Sequence, residues 1–342
     1  MDLSIRYKTI LIAPLDWGLG HVTRCIPIIE RLINQENRVL VATDHRGAIL
    51  IKEAFPTVTI LPLKGYGITY SRRRTTFLPH LVWQFFRSIR CMKEERQLLK
   101  NWVSVYSPDL IISDNRPGFF HPAVYSVYIT HQLSIRTGFF LLDRLAQNIH
   151  YRYIQSFNAC WVPDLPQHNG WAGLLSHPHN MPSVPVTYIG PLSRFKPLPP
   201  TPRFRMAFVL SGPEPQRSML ESKILQQLSS FRDPVLLVRG LPDSSESLPD
   251  SPPNLTVYNH LNATSLNQAM ADSDILVTRS GYSSIMDLAA MHRTAVLIPT
   301  PGQTEQEYLA EYLSRGKDFV MIEQKDFSIQ AVMALQQQET SK

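Results

Sequence analysis

The stretch from Asp274 to Gly316, DILVTRSGYSSIMDLAAMHRTAVLIPTPGQTEQEYLAEYLSRG, constrains the fold more than any other part of the chain. Ile275, Leu276 and Val277 form a short apolar run of the kind a parallel strand buried on both faces requires. The run stops at Arg279-Ser280-Gly281, and a helix is predicted from Ser283 to Met291, whose first-turn amides suit an anion such as phosphate. Ala295 to Ile298 predict a second strand, closed by Pro299 and Pro301, and the loop from Gly302 to Glu307 opens another helix. Gln303, Glu305 and Gln306 put amides and a carboxylate after a strand, a set suited to holding several hydroxyls in fixed geometry. The plainer reading of the same pattern is an ordinary βαβ unit with a solvated loop.

The strand, the RSG turn, the acidic Asp287 on the helix, the IP strand and the Glu-Gln loop resemble the donor-sugar half of GT-B glycosyltransferases, closest to family 28. That family includes the peptidoglycan N-acetylglucosaminyltransferase and the glycosyldiacylglycerol synthases. The resemblance implies an α/β chain of GT-B architecture, two Rossmann-like domains facing across a deep cleft. It further implies that Ser280 and Gly281 hold phosphate, that Asp287 takes the ribose hydroxyls, and that Glu305 and Gln306 contact the sugar. Gln306 falls on the first of the family's paired glutamines and Glu307 on the second, a departure that leaves a hexose and an N-acetylhexosamine both open as the donor sugar.

In the first half, Thr9 to Ala13 predict a strand, and Asp16-Trp17-Gly18-Leu19-Gly20-His21 follow as a glycine loop before a helix from Val22 to Asn34. Gly18 and Gly20 let a ligand approach the backbone, and His21 at the helix start points above the strand ends. Family 28 enzymes carry a loop ending in Gly-His here. The resemblance implies that His21 is the general base toward an acceptor hydroxyl, with Asp16 as its rival. Leu110 to Ser113 predict a buried strand, after which Asp114 and Asn115 face the crevice where ligands bind in open α/β sheets. His131 and Gln132 stand where the peptidoglycan enzyme has His-Glu-Gln, so they join the acceptor-side candidates.

Pro191 to Pro202 is proline-rich, and the predicted organisation is an acceptor domain over 1–192, a stiff linker over 193–204 and a donor domain over 205–342. The donor domain opens with a strand from Met206 to Leu210. Ser211, Gly212, Gln216 and Arg217 follow it at a helix start, where amides and a guanidinium suit a diphosphate. By resemblance, Arg239 lies near the base pocket and Leu261 matches the main chain that pairs with uracil. Asp272-Ser273-Asp274 has the form of a metal-binding DxD, but it sits between a helix end and a buried strand, so no metal is expected.

Composition narrows the rest. An apolar fraction of 44% and a charged fraction of 18% suit a globular protein, and no run of about 18 apolar residues predicts a membrane span. The N-terminus does not read as a signal peptide, and Cys25, Cys91 and Cys160 lack disulfide or metal spacing, so a cytoplasmic protein with reduced thiols is expected. The net charge of +6 suggests an anionic partner. Basic and aromatic residues from Arg72 to Arg90 suit an anionic membrane surface on the inner leaflet, or else a core helix preceded by a solvated basic loop. No nucleic-acid signature accompanies them. The expectation is an inverting, metal-independent glycosyltransferase that uses a UDP-sugar and no cofactor, acts on a hydroxyl acceptor that is lipid-linked in the family's manner, and associates peripherally with the membrane. The alternatives are a nucleotide-sugar 2-epimerase of the same architecture and a noncatalytic membrane-associated scaffold.

Overall fold

The computed structural model describes residues 5–16, 19–66, 77–136, 140–168, 170–242, 244–245, 248 and 252–340. The chain divides into two compact units, Met1–Ser193 and Arg194–Lys342.

Unit 1 is built on apolar runs that become parallel strands: β1 Thr9–Pro14, β2 Arg38–Thr43, β3 Thr59–Pro62, β4 Leu110–Asp114, β5 Tyr125–Ile129, β6 Ala159–Val162 and β7 Val186–Tyr188. They form a sheet in the order β3-β2-β1-β4-β5-β6-β7. Between them run α1 Leu19–Asn34, α2 His45–Ala54, α3 Phe77–Tyr106 and α4 Phe140–Ile154. Ile10, Leu11, Ile12 and Ala13 are fully buried, as a central strand covered on both faces must be. Local chemistry sets the helix starts. Asp44 caps α2, its carboxylate accepting from the Gly47 amide at 2.9 Å.

Unit 2 repeats the plan: β8 Phe204–Val209, α5 Gln216–Leu228, β9 Val235–Val238, β10 Leu255–Tyr258, α6 Ala263–Ala271, β11 Ser273–Thr278, α7 Tyr282–Met291, β12 Ala295–Leu297, α8 Thr304–Leu313, β13 Phe319–Met321 and α9 Ile329–Thr340. Its sheet order is β10-β9-β8-β11-β12-β13. Asn262 caps α6 through the Ser265 amide, and α7 ends on His292 at φ 53°, where the Arg293 amide reaches back to the Leu288 carbonyl. Met206, Phe208, Leu237, Ile275, Val277 and Val296 pack the core beneath α5 and α9.

Both units are therefore Rossmann-like, with the sheet order reversing once, between β1 and β4 in unit 1 and between β8 and β11 in unit 2. In open α/β sheets ligands bind outside the carboxyl ends of the strands at such reversals. Asp272 and Asp274 take structural roles in unit 2: Asp272 caps α6 and accepts from Gln268 Nε2 at 2.7 Å, and Asp274 pairs with Arg205 at 3.1 Å.

Candidate functional site

The reversal in unit 1 brings together residues far apart in sequence. β1 and β4 pair in parallel, with Pro14 opposite Asp114, so the start of α1 and the end of β4 share one corner of the sheet. There the His21 Nδ1 lies 3.0 Å from Asp114 Oδ2. A carboxylate can only accept, so Nδ1 carries the proton and Nε2 keeps its lone pair. Arg24, one turn along α1, donates its Nε to the same Oδ2 at 2.9 Å and one terminal nitrogen to Oδ1, and Cys25 Sγ stands 3.7 Å from Oδ2.

Burial alone would raise the Asp114 carboxyl, but the charges of Arg24 and His21 override it and hold the group well below the usual carboxylate range. For His21, burial first and the Arg24 charge second push the imidazole pKa below its ordinary value, against the opposing pull of Asp114. His21 is thus oriented by a carboxylate and kept neutral, the state a general base needs.

The other acceptor-side candidates divide. Asp16 is committed to the scaffold: it accepts from the Tyr66 amide at 2.9 Å and lies 3.5 Å from Arg116. Arg116 is fully buried and bridges Asp16 to Glu95, while Tyr66 donates to Glu95 at 2.7 Å. The Gly20 carbonyl accepts from Thr23 Oγ1 at 3.1 Å inside the helix start, and Gly18 falls outside the described residues. Asn115 holds a turn at φ 54° and binds the Ile129 carbonyl through its amide. His131 is buried behind the dyad with Nδ1 3.2 Å from Arg24, and the Gln132 carbonyl accepts from His150. Arg24, Cys25, Glu95 and Arg116 were not anticipated. Arg24 and Cys25 lie three and four positions after His21, one helical turn, which was the signal in the sequence.

In unit 2 the reversal sets the loop after β8, with Ser211 and Gly212 exposed, beside the Arg279-Ser280-Gly281 turn after β11. Gly212 has φ 102°, which a side chain would strain. Gly281, the N-cap of α7, has an ordinary φ of −68°, and a Cβ built on it would meet only Gln306 Nε2, at 4.0 Å. Neither backbone conformation nor protein packing demands glycine there. No side-chain hydrogen bond from the cap position closes this helix start, a position of the kind that suits an anion. Arg279 is 1% exposed and donates to the carbonyls of Ile298, Pro299 and Gln216 at 3.2, 3.3 and 2.8 Å. Burial brings its guanidinium down to about 10, so it remains a cation. Among the described residues its Nε and the hydroxyl of buried Thr300 have no hydrogen-bond partner, and Thr300 was not foreseen from the sequence.

Several donor-side candidates already hold partners within the protein. Arg217 is not presented to a diphosphate: its guanidinium is buried against Glu214 and Glu221, each at 2.5 Å. Arg239 is likewise held by Glu221 at 2.9 and 3.1 Å and by Asn259 at 2.8 Å. The Ser280 hydroxyl, expected on phosphate, donates to the Gln306 carbonyl at 2.7 Å. The Gln306 amide closes its own loop, accepting from the Thr300 amide at 2.9 Å and donating to Gln303 at 2.5 Å, while Gln216 Oε1 accepts from Gln324 at 3.0 Å. Asp287 and Glu305 are half-buried on α7 and α8, and Leu261 is half-buried before the α6 cap. Arg72 to Arg74 lie outside the described residues. Farther along α3, Arg87, Arg90, Lys93, Arg96 and Lys100 are exposed.

Residues 219–341 match the glycosyltransferase family 28 C-terminal domain. Over most of its length unit 2 is thus similar to the C-terminal domain of that family. Two curated relatives, from Actinobacillus pleuropneumoniae serotype 5b and Rhodopseudomonas palustris, are both named UDP-N-acetylglucosamine--N-acetylmuramyl-(pentapeptide) pyrophosphoryl-undecaprenol N-acetylglucosamine transferase. They are 34% and 36% identical over 67 residues, which is 19% of this chain and 19% and 18% of theirs, so the chain aligns with about a fifth of their length. Solved structures resemble the whole chain. A kitacinnamycin glycotransferase superimposes with a TM-score of 0.67 at 15% identity over 99% of this chain and 92% of its own. An Arabidopsis thaliana enzyme complexed with quercetin gives 0.66 at 12% over 98% and 90%, and MurG of Acinetobacter baumannii gives 0.54 at 13% over 97% and 90%. At these identities the likeness is one of fold, and the fold is GT-B.

Proposed function

We propose that the protein is an inverting glycosyltransferase that moves a hexose or N-acetylhexosamine from a UDP-sugar to a hydroxyl acceptor. The observation that carries this reading is the His21–Asp114 pair at the topological reversal of unit 1, with Nε2 of His21 as the free base. His21 Nε2 takes the proton of the acceptor hydroxyl as its oxygen attacks the anomeric carbon. The bond from that carbon to the diphosphate oxygen breaks on the opposite side, and UDP departs with the electron pair, inverting the anomeric centre. Asp114 keeps the ring in the required tautomer and stabilises the imidazolium that forms. In unit 2 the N-terminus of α7 at Gly281, the exposed Ser211-Gly212 loop and the buried charge of Arg279 supply the positive field for the departing diphosphate. Asp287 takes the ribose and Glu305 the sugar.

UDP as the nucleotide is supported by the family that unit 2 resembles and by the relatives' names. Those names also favour a lipid-linked acceptor. Arg87, Arg90, Lys93, Arg96 and Lys100, exposed on α3 with one exposed acidic neighbour, Glu94, paired to Arg90, suit an anionic membrane surface, and among the described residues no helix is long and apolar enough to cross a bilayer. The proposed reading is of a cytoplasmic enzyme bound peripherally to the membrane. The test is UDP release from a panel of UDP-sugars with and without a lipid extract. Acceptor-dependent release that His21→Ala removes, with UDP binding retained, supports the reading. Turnover of the nucleotide sugar without acceptor would replace it by an epimerase, and binding without any turnover by a scaffold.

A further inference from the structure

The carboxylate that orients a catalytic imidazole has two effects that pull apart. It fixes the ring, and by its charge it draws a proton onto the ring, since an opposite charge within about 4–6 Å shifts a titration by about one to three pH units. A base that already holds its proton at neutral pH cannot accept another. Asp114 is fully buried, 3.0 Å from the His21 ring, where water does little to weaken that pull.

Arg24 stands on the other side of the same carboxylate. It is 2% exposed, grips both Asp114 oxygens with two of its nitrogens, and directs the third to His131 Nδ1 at 3.2 Å. A guanidinium has no acceptor, so that nitrogen of His131 must be the unprotonated one. We propose that Arg24 is a positioning residue for the base: it cancels the charge of Asp114, so that the carboxylate aims the His21 ring without fixing a proton on it.

The surroundings of His21 allow this. From α1 come Arg24 and Cys25, whose thiol burial keeps protonated; from β4 comes Asp114, and from the end of β5 comes His131. Beyond them Arg116 is paired with Glu95 and Asp16. Arg24 is thus the cation that touches the dyad's carboxylate, and the direction of the His21 titration, below its ordinary value, agrees with its placement. The proposal rests on His21 being the base of the proposed transferase.

The test reads His21 itself as well as turnover. Imidazole NMR of the full chain, without substrates, follows the His21 titration in the wild type, Arg24→Lys and Arg24→Met. The expected result is a wild-type midpoint below 6.5, little change in the lysine variant, and a rise of about one unit or more in the methionine variant. The acid limb of kcat/KM moves up by the same amount, with activity partly recovered above pH 8. An unmoved or lowered midpoint in Arg24→Met overturns the proposal, as does a rate loss that is equal at every pH. Should that variant fail to fold, Arg24→Gln takes its place, with the same rise expected and an unmoved or lowered midpoint overturning the proposal. Activity unaffected by His21→Ala would instead sink the transferase reading and leave the titration result standing.

Discussion

Glu221→Gln should unfold unit 2 far more readily than the change suggests. Glu221 lies on α5 with its carboxylate 2.5 Å from Arg217 Nη1 and 2.9 Å from Arg239 Nη2, and all three side chains are less than a tenth exposed. Removing the one buried negative charge leaves two buried cations. Arg217 keeps Glu214 at 2.5 Å, and Arg239 loses both of its bonds to the Glu221 carboxylate while its bond to Asn259 at 2.8 Å remains. Breaking a buried pair in this way costs about 3–5 kcal/mol, and the glutamine oxygen, which still accepts one hydrogen bond, puts the expected loss near about 3 kcal/mol. For a unit of about 150 residues that lowers the melting transition by roughly 6–12 °C. Glu214→Gln is the internal control. Its carboxylate is 49% exposed, so its loss costs under about 1 kcal/mol. Differential scanning calorimetry of the full chain, reading the transition that UDP shifts, separates the two. Equal losses, or a larger loss for Glu214→Gln, would refute the claim that Glu221 is the buried hub.

Three further outcomes are expected. Gly281→Val puts a branched side chain on the N-terminus of α7 and should weaken UDP binding at least tenfold, measured calorimetrically, with little change in stability because no protein atom lies within 3.4 Å of its Cβ position. Asp114→Asn should abolish most turnover and also destabilise unit 1 by about 3 kcal/mol, since Arg24 loses its buried counter-ion; urea midpoints beside rate measurements check both. His150 donates to the Gln132 carbonyl and is held by burial at about 4, against 6.5 when unfolded. The unfolded chain therefore takes up a proton that the native state refuses, and stability falls as pH drops from about 6.5 to about 4, by at most about 3 kcal/mol. Comparing wild type with His150→Gln in urea at pH 7 and pH 4.5 isolates that share.

The alternation of apolar runs and glycine turns made the two Rossmann-like units legible, because strands buried on both faces must be apolar throughout and the turns that close them need glycine. It also brought His21, Asp114, Arg279 and Gly281 into view as residues just past strand ends. Their pairing was not legible. His21 and Asp114 are 93 positions apart and meet only because β4 lies beside β1, a property of sheet order that periodicity does not encode. The same holds for Arg116 with Glu95 and for Arg239 with Glu221. Arg217 has a local reason for its protein partners: Glu214 sits three residues before it, just ahead of α5, and Glu221 four residues after it on the helix, spacing that engages a guanidinium before any ligand arrives. The bonds that Ser280 and Gln306 make within the protein were not legible either, since they join a turn and a loop that meet only in the fold.

The bond from Ser280 Oγ to the Gln306 carbonyl joins segments 26 residues apart. Because the Gln306 amide also closes on Thr300 and Gln303, the turn after β11 and the loop before α8 form a single clamped block. Inheritance then acts on the block. A drift in residues 300–306 that displaces the Gln306 carbonyl drags the glycine turn with it, so a lineage that reshapes this loop must preserve the serine or recut both segments together. A loop grafted from another transferase would take hold when it brings its own RSG turn and misalign when it comes alone.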